Sequence, residues 1–143
     1  MAEVLPATIS AFLEAFCDWA RSQPEIVAVA LVGSHARDAP KEDSDVDLVI
    51  LTRVVDRYLR NRKWISLFGQ VTECRDENYG RVTSVRSFYE NGLEVEYGFS
   101  TPDWADTPID AGTLRVISQG MKVLHDPHGI IARMQQEVRT SGE

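Results

Sequence analysis

Cysteine is scarce in this chain: Cys17 and Cys74 are the only two among 143 residues. Two cysteines are too few for a disulfide framework, and neither has the CxxC or CxxH neighbours of a structural zinc site. Both read as reduced thiols, in the core or half-buried. Long apolar runs are missing as well. None approaches the roughly 18 residues of a membrane helix, and the N-terminus lacks the basic and apolar regions of a signal peptide. A cytoplasmic location with no membrane partner is expected. Positive charge is in deficit, with 15 Lys and Arg against 22 Asp and Glu and a net charge of −7. That argues against general nucleic-acid binding, which needs a basic face. It leaves room for a nucleotide whose phosphates are met by a metal ion. No internal repeat or low-complexity tract appears, and the length suits one ordinary domain, read as residues 1–143.

What is present is a regular alternation of elements. Leu5, Ile9, Phe12, Leu13, Phe16 and Trp19 form the stripe of an amphipathic helix, with Pro6 in its first turn and Gln23-Pro24 at its end. Ile26 to Val32 is short, apolar and β-branched, as a central strand is. A short helix is expected over 35–38, a loop from Asp38 to Ser44, and a second buried strand from Val46 to Leu51. Residues 53–68 read as mostly helical, turning Val55, Tyr58, Leu59 and Arg62 or Trp64 to the core. Arg81 to Ser87 and Leu93 to Phe99 alternate around Glu90-Asn91-Gly92, a hairpin signal. Ser100 to Gly112 reads as a loop and Thr113 to Ser118 as a short helix. A strand over Met121–Leu124 and a helix over Gly129–Arg139 complete the pattern. The expected class is α/β (α+β), a mixed β-sheet with helices packed on one face.

The stretch from Ala28 to Leu51 carries the chemistry. An apolar strand breaks at Gly33-Ser34, and twelve residues after the glycine Asp45 and Asp47 open the next strand. Carboxylates at i and i+2 on a strand share a face and can hold one cation or a pair between them. A Gly-Ser turn after a strand offers backbone N–H groups to phosphate. Phosphate cradle and carboxylate pair together suggest chemistry on a nucleoside triphosphate.

The segment GSHARDAPKEDSDVDLVIL, residues 33–51, resembles the signature of the nucleotidyltransferase superfamily related to DNA polymerase beta. That signature is Gly-Ser followed, about a dozen residues on, by Asp-x-Asp on the next strand; antibiotic nucleotidyltransferases and minimal antitoxin forms carry it. The likeness is strong over some twenty residues and extends to residues 5–140 as a domain. It implies a nucleotidyltransferase fold and a Mg²⁺-dependent enzyme, with two ions (or Mn²⁺) held by Asp45, Asp47 and a third carboxylate on a neighbouring strand. It also implies transfer of an NMP, AMP favoured, from an NTP to a hydroxyl. Two such ions stabilise both the attacking and the leaving oxygens. The third acid is sought in GLEVEYGF, where Leu93, Val95, Tyr97 and Phe99 make the apolar face and Glu94 and Glu96 the other. Alternation does not separate those two. Glu96 is preferred because its flanks match the family's hydrophobic-acid-hydrophobic pattern, with Glu94 in reserve.

Nucleotide contacts are assigned to Gly33, whose backbone lets the triphosphate approach, to the Ser34 hydroxyl and to Arg37. Ser44 is expected to cap or brace the loop before Asp45. His35 and Asp38 depart from the family's usual Arg and Gly. Arg81 and Arg86 become pyrophosphate partners if their strand lies beside the site. Trp64, Trp104, Tyr79 and Phe88 are candidates for base stacking, although core packing is the better reading. His125 and His128 lack the further ligands of a zinc site. The acceptor is read as a small molecule or a protein, 143 residues leaving little room for a drug-binding helical domain. A homodimer or a partner protein stays open. The alternative function is a non-catalytic nucleotide-binding or antitoxin-like partner module that has retained the fold. A third reading, a fortuitous DxD, predicts no Mg²⁺-dependent nucleotide binding.

Overall fold

The computed structural model describes residues 7–33, 45–78, 82–105, 111, 113 and 120–141. Helix α1 spans Ala7–Arg21, followed by strands β1 (Ile26–Val32) and β2 (Val46–Thr52). A short helix α2 (Val55–Arg60) and a 3₁₀ turn (Lys63–Phe68) lead into strands β3 (Val71–Asn78), β4 (Thr83–Tyr89) and β5 (Glu94–Ser100). A second 3₁₀ turn (Pro102–Ala105), strand β6 (Met121–His125) and helix α3 (Ile130–Ser141) follow. The six strands form one sheet in the order β3-β4-β5-β2-β1-β6. Only the β2–β5 pair runs parallel among the described strands; the other four pairings are antiparallel. This is the mixed α+β sheet that the alternation of elements implies, but the helices are not all on one face: α1 covers one side and α3, through Ile131 and Met134, the other.

Two faces of the sheet are buried against different partners. On one, Leu31, Val46, Leu48, Ile50, Val85, Val95, Tyr97 and Phe99 meet the α1 stripe of Ile9, Phe12 and Phe16 and the aromatic side chains after β2. A register shift between Ile26 and Ala28 brings Ile26 onto the same face as Val29. The opposite face adds a smaller layer, in which Ala28, Ala30, Val32, Val49 and Leu51 pack with Trp104, Ile131 and Met134. Asp126 starts α3 by accepting hydrogen bonds from the N–H groups of Ile130 and Ala132 at 2.8 and 2.9 Å, which accounts for the Asp-Pro break after His125.

The aromatic cluster is the densest part of the core. Trp64 meets Tyr97 edge-on at 4.8 Å and stacks on Trp19 at 5.3 Å, while its indole N–H donates to the Tyr58 carbonyl. Tyr89 donates to the carbonyl of Ile65, so the Tyr97 hydroxyl must be the donor in the 2.7 Å bond between the two phenols. Trp64 and Trp104 are thus packing residues, and the Phe88 ring lies under the Arg75 guanidinium at 5.0 Å. Phe16 is fully buried and touches the rings of Phe12, Trp19, Phe68 and Tyr97. Phe16→Ala is expected to cost about 3–5 kcal/mol in urea-unfolding free energy. A loss below about 1 kcal/mol would mean that this face of the sheet collapses onto the cavity.

Residues 53–68 depart from the single helix expected of them. The chain turns at Asn61 and Arg62, and Arg62 points not to the core but to Asp76 on β3, in a two-pronged ion pair at 2.7 and 3.0 Å. Strand β3 has no counterpart in the sequence reading. Its residues VTECRDEN are nearly all exposed on both faces, so no hydrophobic alternation marks it, and its charges suit an unpartnered edge. Cys74 on this strand is exposed, and Cys17 on α1 is half-buried. Strand β4 begins at Thr83 rather than Arg81; Tyr79 and Arg81 lie outside the described residues, as do the short elements expected over 35–44 and most of 113–118. No described helix is long and apolar enough to cross a membrane.

Candidate active site

Strand registry assembles the acids. In the β1–β2 pair Val32 stands opposite Asp47. In the parallel β2–β5 pair Asp47 stands beside Glu96, and in the β4–β5 pair Glu96 faces Arg86. One row perpendicular to the strands therefore reads Val32, Asp47, Glu96, Arg86, with side chains on the same face. Glu94 lies two residues earlier on β5, and Asp45 immediately before β2, two residues ahead of Asp47, on that same face. Glu94 and Glu96, which alternation leaves equivalent, are distinguished by this register. Glu96 is the neighbour of Asp47, whereas Glu94 faces Phe88 of β4.

Gly33 closes the row at its β1 end. Its φ is +79°, in the left-handed region that favours glycine, and a Cβ there would overlap Oδ2 of Asp47 and come within 3.3 Å of its Cγ. The group that needs the glycine in this structure is thus the Asp47 carboxylate. Ser34, Arg37 and Ser44, with His35 and Asp38, lie outside the described residues.

Charge is concentrated and only partly compensated. The Arg86 guanidinium donates from Nη1 to Asp45 at 2.7 Å and to Glu94 at 2.6 Å, and from Nη2 to Glu96 at 2.5 Å. Its Nε donates to Glu77 at 3.1 Å. Glu77 joins diagonally, because Arg75, two residues before it on β3, is the register partner of Arg86. No sequence signal marks Glu77, since β3 carries no hydrophobic period of its own. Arg86, weighed from sequence as a pyrophosphate partner, does lie at the site, in contact with acids.

These surroundings split the aspartate pair. Burial, then the hydrogen bond to Asp45 and repulsion from Asp45 and Glu96, push the Asp47 carboxyl up to about 8, with Arg86 offsetting only part. For Asp45, burial acts upward, but hydrogen bonds from Asp47 and Arg86 outweigh it and hold the carboxyl below its ordinary value. The pair thus shares a proton: Asp47 keeps it and donates to ionised Asp45. All the donors gathered here are hard carboxylate oxygens, the set that Mg²⁺ and Mn²⁺ take, and like charge crowded enough to retain a proton near neutrality is what a dication would relieve. Among the described residues no three acids converge on a common point as a ready cage; Asp45, Glu94 and Glu96 converge on the guanidinium instead.

The family model described as streptomycin adenylyltransferase matches residues 8–139. No curated protein matches the chain. Among solved structures it is similar to an aminoglycoside 6-adenyltransferase from Bacillus subtilis, with TM-score 0.54 and 18% identity over 66% of this chain and 35% of that one. The polymerase core of TRAMP, an RNA surveillance complex, aligns with TM-score 0.46 and 19% identity over 78% of this chain and 38% of the other. A CCA-adding enzyme in its apo form aligns with TM-score 0.45 and 15% identity, over 94% and 33%. The chain spans about a third of the length of these structures.

Proposed function

The chain belongs to the streptomycin adenylyltransferase family, a family of nucleotidyltransferases, and from that premise we infer that it transfers AMP from ATP to a hydroxyl of a cationic small-molecule acceptor. The observation that carries this reading is the juxtaposition of Asp47 and Glu96 on adjacent parallel strands, with Asp45 just ahead of β2 and Gly33 against Asp47. In the reaction the acceptor oxygen bonds to the α-phosphorus, the bond from that phosphorus to the bridging oxygen breaks, and pyrophosphate leaves. The hydroxyl proton must go to a base. Mg²⁺, held by Asp45, Asp47 and Glu96, would stabilise the attacking and leaving oxygens.

The residues divide the remaining work by environment. Asp47 must give up its proton to bind a cation, so cation affinity rises as pH approaches 8. Glu96, the acid next to Asp47 in register, is assigned to the end of the site where the acceptor hydroxyl is activated. The family's description and the acid-rich surface, net charge −7, both favour a polycation such as an aminoglycoside over a protein acceptor. Ser34 and Arg37 are proposed as phosphate contacts, and the cytoplasm as the compartment where ATP is met.

Titration with ATP, GTP, CTP and UTP, with and without Mg²⁺, beside the double variant Asp45→Asn/Asp47→Asn, tests the site before any acceptor is known. The expected result is Mg²⁺-dependent binding, strongest for ATP, that the double variant loses. Incubation with ATP and streptomycin should then add the mass of one adenylyl group to the drug. The seating of Arg86 among the acids favours one other reading, a module that binds nucleotide without turning it over. Mg²⁺-dependent ATP binding with no pyrophosphate released on any acceptor would select it. Absence of binding to all four nucleotides would end both.

A further inference from the structure

Arg86 is unusual for where its charge sits. Its N–H groups are directed to carboxylates of Asp45, Glu94, Glu96 and Glu77, which come from β3, β5 and the residue just ahead of β2, and its side chain is only 20% exposed. Two of those acids, Asp45 and Glu96, are also the ones assigned to the cation. A guanidinium bonded to a carboxylate repels a dication on that same carboxylate, and in a half-buried site water screens the repulsion poorly. Glu77 and Glu94 anchor the guanidinium from β3 and β5, so it remains beside the site even when its hold on Asp45 and Glu96 loosens.

We propose that Arg86 is the internal counter-ion of the site: it holds Asp45 and Glu96 together while no dication is bound, competes with the dication for them, and thereby sets its affinity. Arg86 is a positioning residue in this account, acting through the acids it holds. The inference takes from the proposed function only that a dication binds these carboxylates.

The test is a Mn²⁺ titration without nucleotide, read by the electron-spin resonance of free Mn²⁺, on the parent chain, Arg86→Met and Arg86→Lys at pH 7.5. Arg86→Met should bind Mn²⁺ on the order of 10-fold or more tightly than the parent, because a repelling charge has gone. Its thermal midpoint should fall without Mn²⁺ and recover with it. Arg86→Lys, which keeps the charge and loses the fork, should stay within about threefold of the parent. An arginine that merely scaffolds the acids would give the opposite sign, since its loss would scatter them and weaken binding. Equal or weaker binding by Arg86→Met, or equal tightening in both variants, overturns the proposal. Should Arg86→Met be unfolded without Mn²⁺, refolding on its addition supports the proposal and failure to refold counts against it. If Mn²⁺ affinity does not respond while the parent transfers AMP normally, only this inference falls. If affinity responds as expected but no nucleotide is ever transferred, the transferase reading falls and the counter-ion stands.

Discussion

Asp47→Asn is expected to abolish nucleotidyl transfer and, at the same time, to stabilise the fold. Loss of a cation ligand should lower turnover by about 10³-fold or more, roughly 4 kcal/mol of transition-state stabilisation. The stability gain follows from the Asp47 carboxyl, which burial and like charge push up to about 8, against about 3.9 in an unfolded chain. A carboxyl raised on folding contributes stability that is fully present below about pH 4 and is lost as pH rises through 8. Asparagine does not ionise, so the variant does not lose it, and its amide still donates to Asp45. Asp45, held low, contributes stability present above about pH 4 and lost only in acid, outside this window. The advantage of the variant should therefore grow from pH 5 to pH 8 and reach on the order of 2–4 kcal/mol, allowing for partial screening. Chemical denaturation at three pH values, beside an ATP turnover assay, reads both arms. A variant retaining a tenth of parental turnover would remove Asp47 from the ligand set, and a pH-independent difference would remove the shared proton.

Gly33→Ala has the second largest expected effect, and its origin is steric. The substitution forces a side chain into φ +79° and into the Asp47 carboxylate. Backbone strain costs about 1–3 kcal/mol, and, with Asp47 in its proposed role, moving its carboxylate by an ångström should cost about 100-fold in rate. Gly92 supplies the control, for its φ is +90° and a Cβ there meets nothing within 4 Å. Gly92→Ala should incur similar strain and leave turnover within about twofold of the parent. If the two variants lose activity equally, the contact with Asp47 is not what Gly33 protects.

How much of this was legible in the sequence depended on burial. Strands β1 and β2 announce themselves as apolar runs, and helix α1 as a stripe, because each is packed against something. Strand β3 does not, because an exposed edge strand obeys no hydrophobic period, and so Glu77 went unnoticed. The Asp45–Asp47 pair is readable from i, i+2 spacing at the start of one strand. The choice between Glu94 and Glu96 was not readable from alternation, which fixes a side chain's face and says nothing about its neighbour on the next strand. Only the β2–β5 register separates them. The same limit hides the partners of Arg86: its four carboxylate neighbours, on β3, β5 and just ahead of β2, are far apart in sequence and meet only in the ordered sheet.

The single parallel pairing among the described strands has a consequence for how the candidate site is assembled. Strands β1, β2 and β6 form one locally antiparallel unit and β3, β4 and β5 another. The β2–β5 contact is the seam between them. Asp45 and Asp47 lie on one side of that seam, and Glu96, Arg86 and Glu77 on the other. The β1–β2 pair and the β3–β4–β5 ladders can form early, from contacts closer in sequence, whereas β6 reaches β1 across about 90 residues; neither half contains the whole set of acids. Docking the seam in register is the step that sets Asp47 beside Glu96, and a slip of one residue would turn Glu96 to the opposite face. A chain with its secondary structure complete and its seam open would look folded and yet keep Asp47 and Glu96 apart.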